Sequence, residues 1–245
     1  MKKKLYLLLT LTNLFCCSLI SPVYSAVSDR GNEAIATDNA VRRRAFGAPS
    51  HAGKDAKYLA QYLTRPFKSD YDKLKVIAYW IASHLAYDHY KFDNDQANMK
   101  EMKYKYDVLK AKMGICSDFA KLFAEMAQEA GVSAEVETVG GYVITPQRMK
   151  RHYNKREITP AAHAWNEITL QGRKFFVDTT FMCPNHIGHD NRKRKSSLKH
   201  RNEVRARNRE RSEANVNIDT FYFDFTPQEE FKAKKEIHLL YKYVR

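Results

Sequence analysis

Residues 114–120 read GICSDFA and place a cysteine where a strong helix begins. Over 117–130 apolar residues recur at helical spacing, and Gly131 closes the pattern. Cys116 therefore lies at a predicted helix N-terminus, where unpaired backbone N–H groups and the helix dipole favour a thiolate. Gly114 is small enough to allow close backbone approach beside the thiol. The alternative is a buried structural cysteine, which is common for a lone cysteine on a helix.

A predicted β-hairpin further along carries a histidine and a carboxylate. Its strands, 162–170 and 174–180, flank a Gln171-Gly172 turn. His163 begins the first strand and Asp178 lies on the second, so the spacing predicts that the two are nearly opposite, within one register step. Because neighbouring strands are about 4.8 Å apart, an imidazole and a carboxylate on one face can hydrogen-bond. With a thiol nearby they would complete a catalytic triad; the alternative is a surface His–Asp pair with no thiol nearby.

The order of predicted elements favours an α+β fold. Helical periodicity dominates 54–63, 69–89 and 117–130, and apolar–polar alternation begins at Val132. Helices followed by antiparallel strands are typical of this class. The 44% hydrophobic content excludes a wholly disordered chain, and 245 residues suit one ordinary domain or two small ones. We predict the folded domain over 54–245.

The first 25 residues have the pattern of a secretory signal peptide. Lysines at 2–4 precede an apolar run over 5–20, and small residues follow near Ser25 and Ala26. We expect cleavage near Ser25/Ala26 and a secreted or periplasmic mature chain, in which the net charge falls from +14 to +11 because three lysines and no acids are removed. The alternatives are a membrane anchor, for which the run is short, and a lipoprotein. Residues 26–53 are polar and are predicted to be a flexible arm.

Two cysteines, Cys116 and Cys183, remain in the predicted mature chain, which excludes a disulfide framework. They form either one bridge, or one working thiol and one bystander. A zinc site is a further alternative for Cys183 with His186, His189 and Asp190, but these ligands share one short loop and lack a second cysteine pair. A loop with a spare thiol is the interpretation we favour, and no metal is expected.

Most of the positive charge lies in one segment. Between residues 192 and 211 there are ten Lys and Arg against Glu203 and Glu210, a local charge of +8. A solvated loop is the common outcome for such a run, and a patch for an anionic surface or polymer is the alternative. Interleaved aromatic residues are absent, so specific nucleic-acid recognition is not expected.

Three blocks resemble the core of the transglutaminase-like superfamily. That core has a G-[VI]-C-x-x-[FY]-A block, an H-[AS]-W block and a [VL]-D-[PT]-T block, in this order. The chain has GICSDFA at 114–120, HAWN at 163–166 and VDTTF at 177–181. Two flanks, at 80–88 and 221–231, resemble the bacterial and kyphoscoliosis-peptidase-like branch. The resemblance extends over about 70–240.

The resemblance implies a papain-like α+β fold with Cys116 as nucleophile, His163 as base and acid, and Asp178 as the residue that orients the histidine. Active members of the superfamily transfer acyl groups through a thioester, which an amine or water then resolves. No cofactor is expected, and no acidic cluster suggests calcium dependence. The chain departs from the pattern at Phe181, where the family usually has Trp, and in a basic insertion at about 185–216.

The sequence therefore predicts an exported thiol-dependent enzyme acting on amide bonds of proteins or peptides, as a peptidase, amidase or transglutaminase. The backbone N–H of Cys116 is a candidate oxyanion donor. The alternative is a non-catalytic transglutaminase-like binding module whose basic segment holds an anionic partner. The intact Cys116, His163 and Asp178 set favours the enzyme.

Overall fold

Three helices form where the apolar periodicity predicts them, but the helix predicted over 69–89 ends at His84, because Leu85 is extended and Ala86–Asp88 pair as a strand. The computed structural model describes residues 38–89, 91–92, 107–144, 161–184, 186–187, 217–234 and 237–240. The named helices are α1 (38–46), α2 (Ala56–Thr64), α3 (Asp70–His84), α4 (Val108–Ala111), α5 (Cys116–Glu129), α6 (Thr179–Met182) and α7 (Pro227–Lys234), with 3₁₀ helices at Ser50–Lys54 and Thr220–Tyr222; residues 89 and 91–92 are also helical. The described residues from Val41 onward belong to one compact unit.

Helix α3 runs through the core. From Val76 to Ser83 every residue is buried, as expected of a helix covered on all sides. Helices α2 and α5 contact α3 and each other. Trp80 is 2% exposed and belongs to this core. Burial of each large apolar side chain in this cluster contributes about 1.5–3 kcal/mol to folding.

A five-stranded antiparallel sheet packs against α5. The described residues contain two sheets, and their strands are β1 (Ala86–Asp88), β2 (Met113–Gly114), β3 (Glu135–Ile144), β4 (Ala161–Leu170), β5 (Arg173–Val177), β6 (His186–Ile187), β7 (Phe223–Phe225) and β8 (Ile237–Leu240). The large sheet has the order β7-β5-β4-β3-β8, and a small parallel sheet has the order β2-β1-β6. Helix α5 contacts β3 and β4. The predicted α+β fold, with Cys116 at a helix N-terminus packed on an antiparallel sheet, is confirmed.

The predicted hairpin forms, but its second strand is shorter than expected. β4 pairs with β5 from Asn166↔Val177 to Leu170↔Arg173, and Gln171 and Gly172 make the turn. The strand prediction over 178–180 is wrong, because Asp178 accepts backbone hydrogen bonds at the start of α6 and turns the chain into that helix. Asp178 therefore lies one residue beyond β5 rather than across the ladder from His163.

The predicted flexible arm is wrong for its C-terminal part. Residues 41–46 are helical, and Val41, Ala45 and Ala52 are buried in the core. These small apolar residues lie among polar and basic ones, so the segment has a polar composition overall and still packs. Residues 26–37 lie outside the described residues.

Several sequence predictions fall on residues that the structure does not describe. The predicted signal peptide over 1–25 is one, and the basic insertion at 185–216 is another, apart from β6 at 186–187. Across the described ranges, no helix has both the length and the apolar content needed to cross a membrane.

Candidate active site

Cys116 is the first residue of α5, as its sequence position predicts. Ile115 caps the helix in extended conformation, with φ −100° and ψ 177°. The thiol lies at the positive end of the helix dipole, and Cys116 is 7% exposed. The Asp118 carboxylate accepts the Ile115 backbone N–H at 2.9 Å, which holds the turn before the thiol.

Gly114 is required by its neighbour Asp118. A Cβ atom at Gly114 would lie 2.8 Å from Cβ of Asp118, closer than such atoms approach in proteins. The small residue thus makes room for the side chain that caps the helix. The sequence predicted that Gly114 permits close backbone approach beside the thiol, but the atoms that a Cβ here would meet belong to the Asp118 side chain.

His163 lies on β4 opposite Gly141 of β3. Its Nε2 is 2.5 Å from Oδ2 of Asp178, and the His163 side chain is 7% exposed while Asp178 is fully buried. The Phe181 ring stacks on the imidazole with 4.7 Å between ring centroids, and Trp165 stacks at 5.9 Å. Aromatic rings therefore cover the histidine and limit its contact with water.

The structure brings Cys116 to the same imidazole. The Cys116 thiol lies close enough to the His163 ring to help raise the pKa of that histidine. Because Nε2 faces Asp178, Nδ1 is the ring nitrogen that remains for the thiol. The three residues predicted from spacing and from resemblance thus meet at one site, where His163 lies between Cys116 and Asp178.

The protonation state of His163 is set by opposing effects. Burial lowers the pKa of His163, but the Asp178 charge and hydrogen bond, with a further contribution from Cys116, outweigh burial and raise that pKa from 6.5 to about 10. The imidazole therefore holds its proton at neutral pH. A protonated imidazole beside a thiol favours the thiolate–imidazolium pair.

Asp178 is held in place by backbone hydrogen bonds on both sides. Its Oδ1 accepts the N–H groups of Thr180 and Phe181 at 2.9 and 3.0 Å, while its own N–H donates to the Tyr222 carbonyl at 2.9 Å. One oxygen thus caps α6, and the other faces His163. A carboxylate anchored in this way orients the imidazole at low entropic cost.

Sequence reasoning missed the residue that joins helix to sheet. The Asn166 Nδ2 group donates to the Ala120 carbonyl of α5 at 3.0 Å and is 3.3 Å from Thr138 Oγ1 on β3. Asn166 is fully buried. It lies within the His163 block of the sequence, but no local pattern indicates which helix its side chain will reach.

Cys183 is a separate thiol. It is 3% exposed, and its Sγ donates to the Leu85 carbonyl at 3.3 Å. Both Cys116 and Cys183 are free in the structure, so the bridge alternative is not the state seen. Within the described residues no group of three His, Cys, Asp or Glu side chains could hold a metal ion; His189 and Asp190 lie outside them.

Comparisons with known proteins identify a family. The family model of the transglutaminase-like superfamily matches residues 57–178, a segment that contains all three residues of the site. Kyphoscoliosis peptidase of mouse is 29% identical over 128 residues, which are 50% of this chain and 17% of that protein. The human kyphoscoliosis peptidase is 28% identical over the same length and with the same coverage. The chain thus spans about a sixth of these curated relatives.

Among solved structures, a candidate cysteine protease from Cytophaga hutchinsonii is similar at 20% identity, covering 54% of this chain and 39% of that chain, with a TM-score of 0.36. The match of residues 57–178 to the family model agrees with the resemblance of the three sequence blocks. The chain therefore carries a domain of the transglutaminase-like superfamily.

Proposed function

We propose that the protein is a thiol-dependent enzyme that transfers acyl groups from amide bonds of proteins or peptides. The observation that carries the proposal is the buried His163–Asp178 hydrogen bond beside Cys116, which begins a helix and interacts with the same imidazole. A thiol, an imidazole and an orienting carboxylate in this order are what nucleophilic acyl transfer requires. The superfamily match supports the same chemistry.

In this mechanism the Cys116 thiolate attacks the amide carbonyl carbon, and the carbonyl electron pair moves onto oxygen. The Cys116 backbone N–H is a donor for that oxyanion, because the first N–H groups of a helix are not used within it. Collapse of the intermediate breaks the C–N bond, and the imidazolium of His163 gives its proton to the departing amine. A thioester on Cys116 and a neutral imidazole remain.

The second half of the cycle reverses the proton movement. Water or a primary amine attacks the thioester while the neutral His163 removes its proton, and the Cys116 thiolate leaves. Water yields a carboxylic acid, and an amine yields a new amide. Asp178 keeps the imidazole in one tautomer and orientation throughout.

The experiment is to incubate the full chain with a glutamine-containing peptide and a primary amine, and to identify products by mass spectrometry. An amine adduct, a glutamate product or a cleaved peptide would identify transferase, amidase or peptidase activity, respectively. Cys116→Ala must abolish every product. Cys183→Ser is the matched control. It should retain full activity, because the serine hydroxyl can still donate to the Leu85 carbonyl that Cys183 contacts. Product formation by Cys116→Ala would refute the proposal.

Export and an anionic partner are further parts of the proposal. The basic run over 192–211 and the apolar run over 5–20 support them by sequence alone. Deleting residues 190–213 should weaken binding to anionic vesicles or polymers and leave turnover of a small peptide unchanged. That binding should fall as salt rises, because the Debye length shortens to about 3 Å at molar salt. Wild-type protein that binds anions but gives no turnover would favour the binding-module alternative.

A further inference from the structure

A partly buried ion pair between Lys91 and Asp118 lies at the first turn of α5, the helix that begins with Cys116. The Asp118 Oδ2 atom accepts from Lys91 Nζ at 2.6 Å and from the Ile115 backbone N–H at 2.9 Å. The Lys91 and Asp118 side chains are 10% and 19% exposed. Because both partners are largely withdrawn from water, their interaction is screened less than that of a surface pair.

Lys91 reaches this place from a different part of the chain. Its backbone N–H donates to Asp88 Oδ1 at 3.1 Å, and Asp88 is fully buried at the end of β1. β1 also pairs with β2, with Tyr87 opposite Gly114. The segment after β1 is therefore tied to the turn before Cys116 by the small sheet and by the ion pair.

Asp118 acts on Cys116 through the backbone. Its carboxylate holds the N–H of Ile115, the residue that caps α5 and precedes the thiol. Gly114 leaves room for the Asp118 Cβ atom. Both contacts restrict the path of the chain into the helix, and so they restrict where the Cys116 Sγ atom lies relative to His163.

The pair also sets the local charge. Asp118 is two residues from Cys116, and an unpaired carboxylate there would oppose a thiolate. His163 of β4 interacts with the thiol and has Asp178 behind it, and Asp118 lies two residues further along the helix that carries the thiol. Lys91 offsets the Asp118 charge, so the carboxylate can cap the helix without opposing the thiolate.

We infer that Lys91 and Asp118 are a positioning pair for Cys116: Asp118 fixes the turn before the nucleophile, and Lys91 neutralises the charge this requires. The inference rests on the proposed function for its meaning in catalysis. Its test does not, because reactivity of the thiol can be measured without any substrate.

The experiment measures the rate of Cys116 alkylation by iodoacetamide against pH, with peptide mapping, in a Cys183→Ser background. Lys91→Met leaves the Asp118 charge unbalanced, so the half-maximal pH should rise, and the rate at a pH below the parent's half-maximal pH should fall on the order of 3- to 10-fold. Asp118→Asn leaves the Lys91 charge unbalanced, so the half-maximal pH should fall. The double variant should return close to the parent, and Lys91→Arg should retain parental behaviour.

Lys73→Met is the matched control. Lys73 pairs with Asp70 at 2.7 Å in the first turn of α3, with both side chains 20% exposed, and this pair is not part of the site. Lys73→Met should leave the pH profile of Cys116 alkylation unchanged. If the pair were purely structural, the half-maximal pH of alkylation would shift in the same direction in Lys91→Met and in Asp118→Asn. If the pair had no role, both variants would have the profile of the parent. Either result overturns the inference. Absence of turnover on every peptide, with the opposed shifts intact, would instead refute the proposed function alone.

Discussion

The side-chain amide of Asn166 donates a hydrogen bond to the backbone carbonyl of Ala120 at 3.0 Å. Asn166 lies three residues after His163 on β4, and Ala120 lies four residues after Cys116 on α5. This bond joins the strand that carries the imidazole to the helix that carries the thiol. It is buried, so water does not compete with it.

Asn166→Ala should therefore loosen the attachment of the helix that carries Cys116 to the strand that carries His163. Loss of this hydrogen bond and of the packed side chain should lower the free energy of unfolding by about 1–3 kcal/mol. Buried Asn166 Oδ1 lacks a hydrogen-bond partner among the described residues, so its removal offsets part of that loss. We expect turnover and Cys116 alkylation to fall at least about 10-fold, since 1.4 kcal/mol of misplacement already has this effect.

Thr138→Val is the control for this prediction. Thr138 Oγ1 lies 3.4 Å from the same carbonyl, so its hydrogen bond is weaker. Urea denaturation and alkylation kinetics of both variants give the comparison. Equal losses in the two variants would show that Asn166 has no special part in holding the helix to the sheet.

Phe181→Ala should expose the His163–Asp178 pair to water. Phe181 stacks on the imidazole at 4.7 Å and contacts Tyr222 edge-on at 5.1 Å. Without the ring, solvent would screen the pair, and we expect kcat to fall more than KM changes. Phe181→Trp should retain activity, since the sequence pattern of the superfamily usually has Trp at this position. Steady-state kinetics on both variants test this, and an active Ala variant would contradict it.

The His163–Asp178 pair should make stability depend on pH in a defined window. The pKa of His163 is 6.5 when unfolded and is raised to about 10 when folded, so its stabilisation is complete below pH 6.5 and is lost as pH rises toward 10. Asp178→Asn keeps a helix-capping side chain but removes the charge, and should reduce the loss of unfolding free energy between pH 6.5 and 9 by about 1–3 kcal/mol.

Urea denaturation at pH 6.5 and pH 9 measures this difference. His84→Gln is the control, because burial lowers the pKa of His84 to about 4 and its titration therefore affects stability only below pH 6.5. The control should keep the wild-type slope over the tested window. An unchanged slope in Asp178→Asn would show that the pair is not the source of the pH dependence.

Lys112→Met should stabilise the protein at neutral pH. Burial lowers the pKa of Lys112 from 10.5 to about 8, with a partial opposing effect from Asp107. The unfolded chain binds more protons between pH 8 and 10.5, so stability rises with pH there, and the charged amine destabilises the fold below pH 8.

At pH 7 the free energy of unfolding of Lys112→Met should exceed that of the parent by about 1 kcal/mol, once solvent screening and the loss of two contacts are included. Those contacts are a hydrogen bond to the Gly53 carbonyl at 3.2 Å and a position 4.7 Å over the Trp80 ring. The gain should vanish above pH 10. Lys110→Met, at an exposed ion pair, is the control and should change little. Thermal denaturation of both variants at pH 7 and above pH 10 measures the effect. A Lys112→Met variant that is less stable than the parent at pH 7 would contradict the prediction.

The elements that sequence predicted well are those whose signal is local. Helix α5 has its apolar face and its closing Gly131 within one segment, and the hairpin has alternation around the turn at 171–172. Prediction failed where a side chain overrode the local pattern: Asp178 captures two backbone N–H groups and converts the predicted end of a strand into α6. The polar composition of 41–46 likewise concealed a helix that packs through Val41 and Ala45.

The sequence by itself determined the α+β class, the helix that begins at Cys116, and the strand that carries His163, because periodicity and capping depend on neighbouring residues. Only the tertiary structure decided that the thiol meets the imidazole. The Asn166–Ala120 hydrogen bond joins the strand and the helix that carry these groups, and its partners are 46 residues apart. The Lys91–Asp118 pair spans 27 residues in the same way. Contacts of this kind form only when packed elements bring distant side chains together, so no local pattern specifies them.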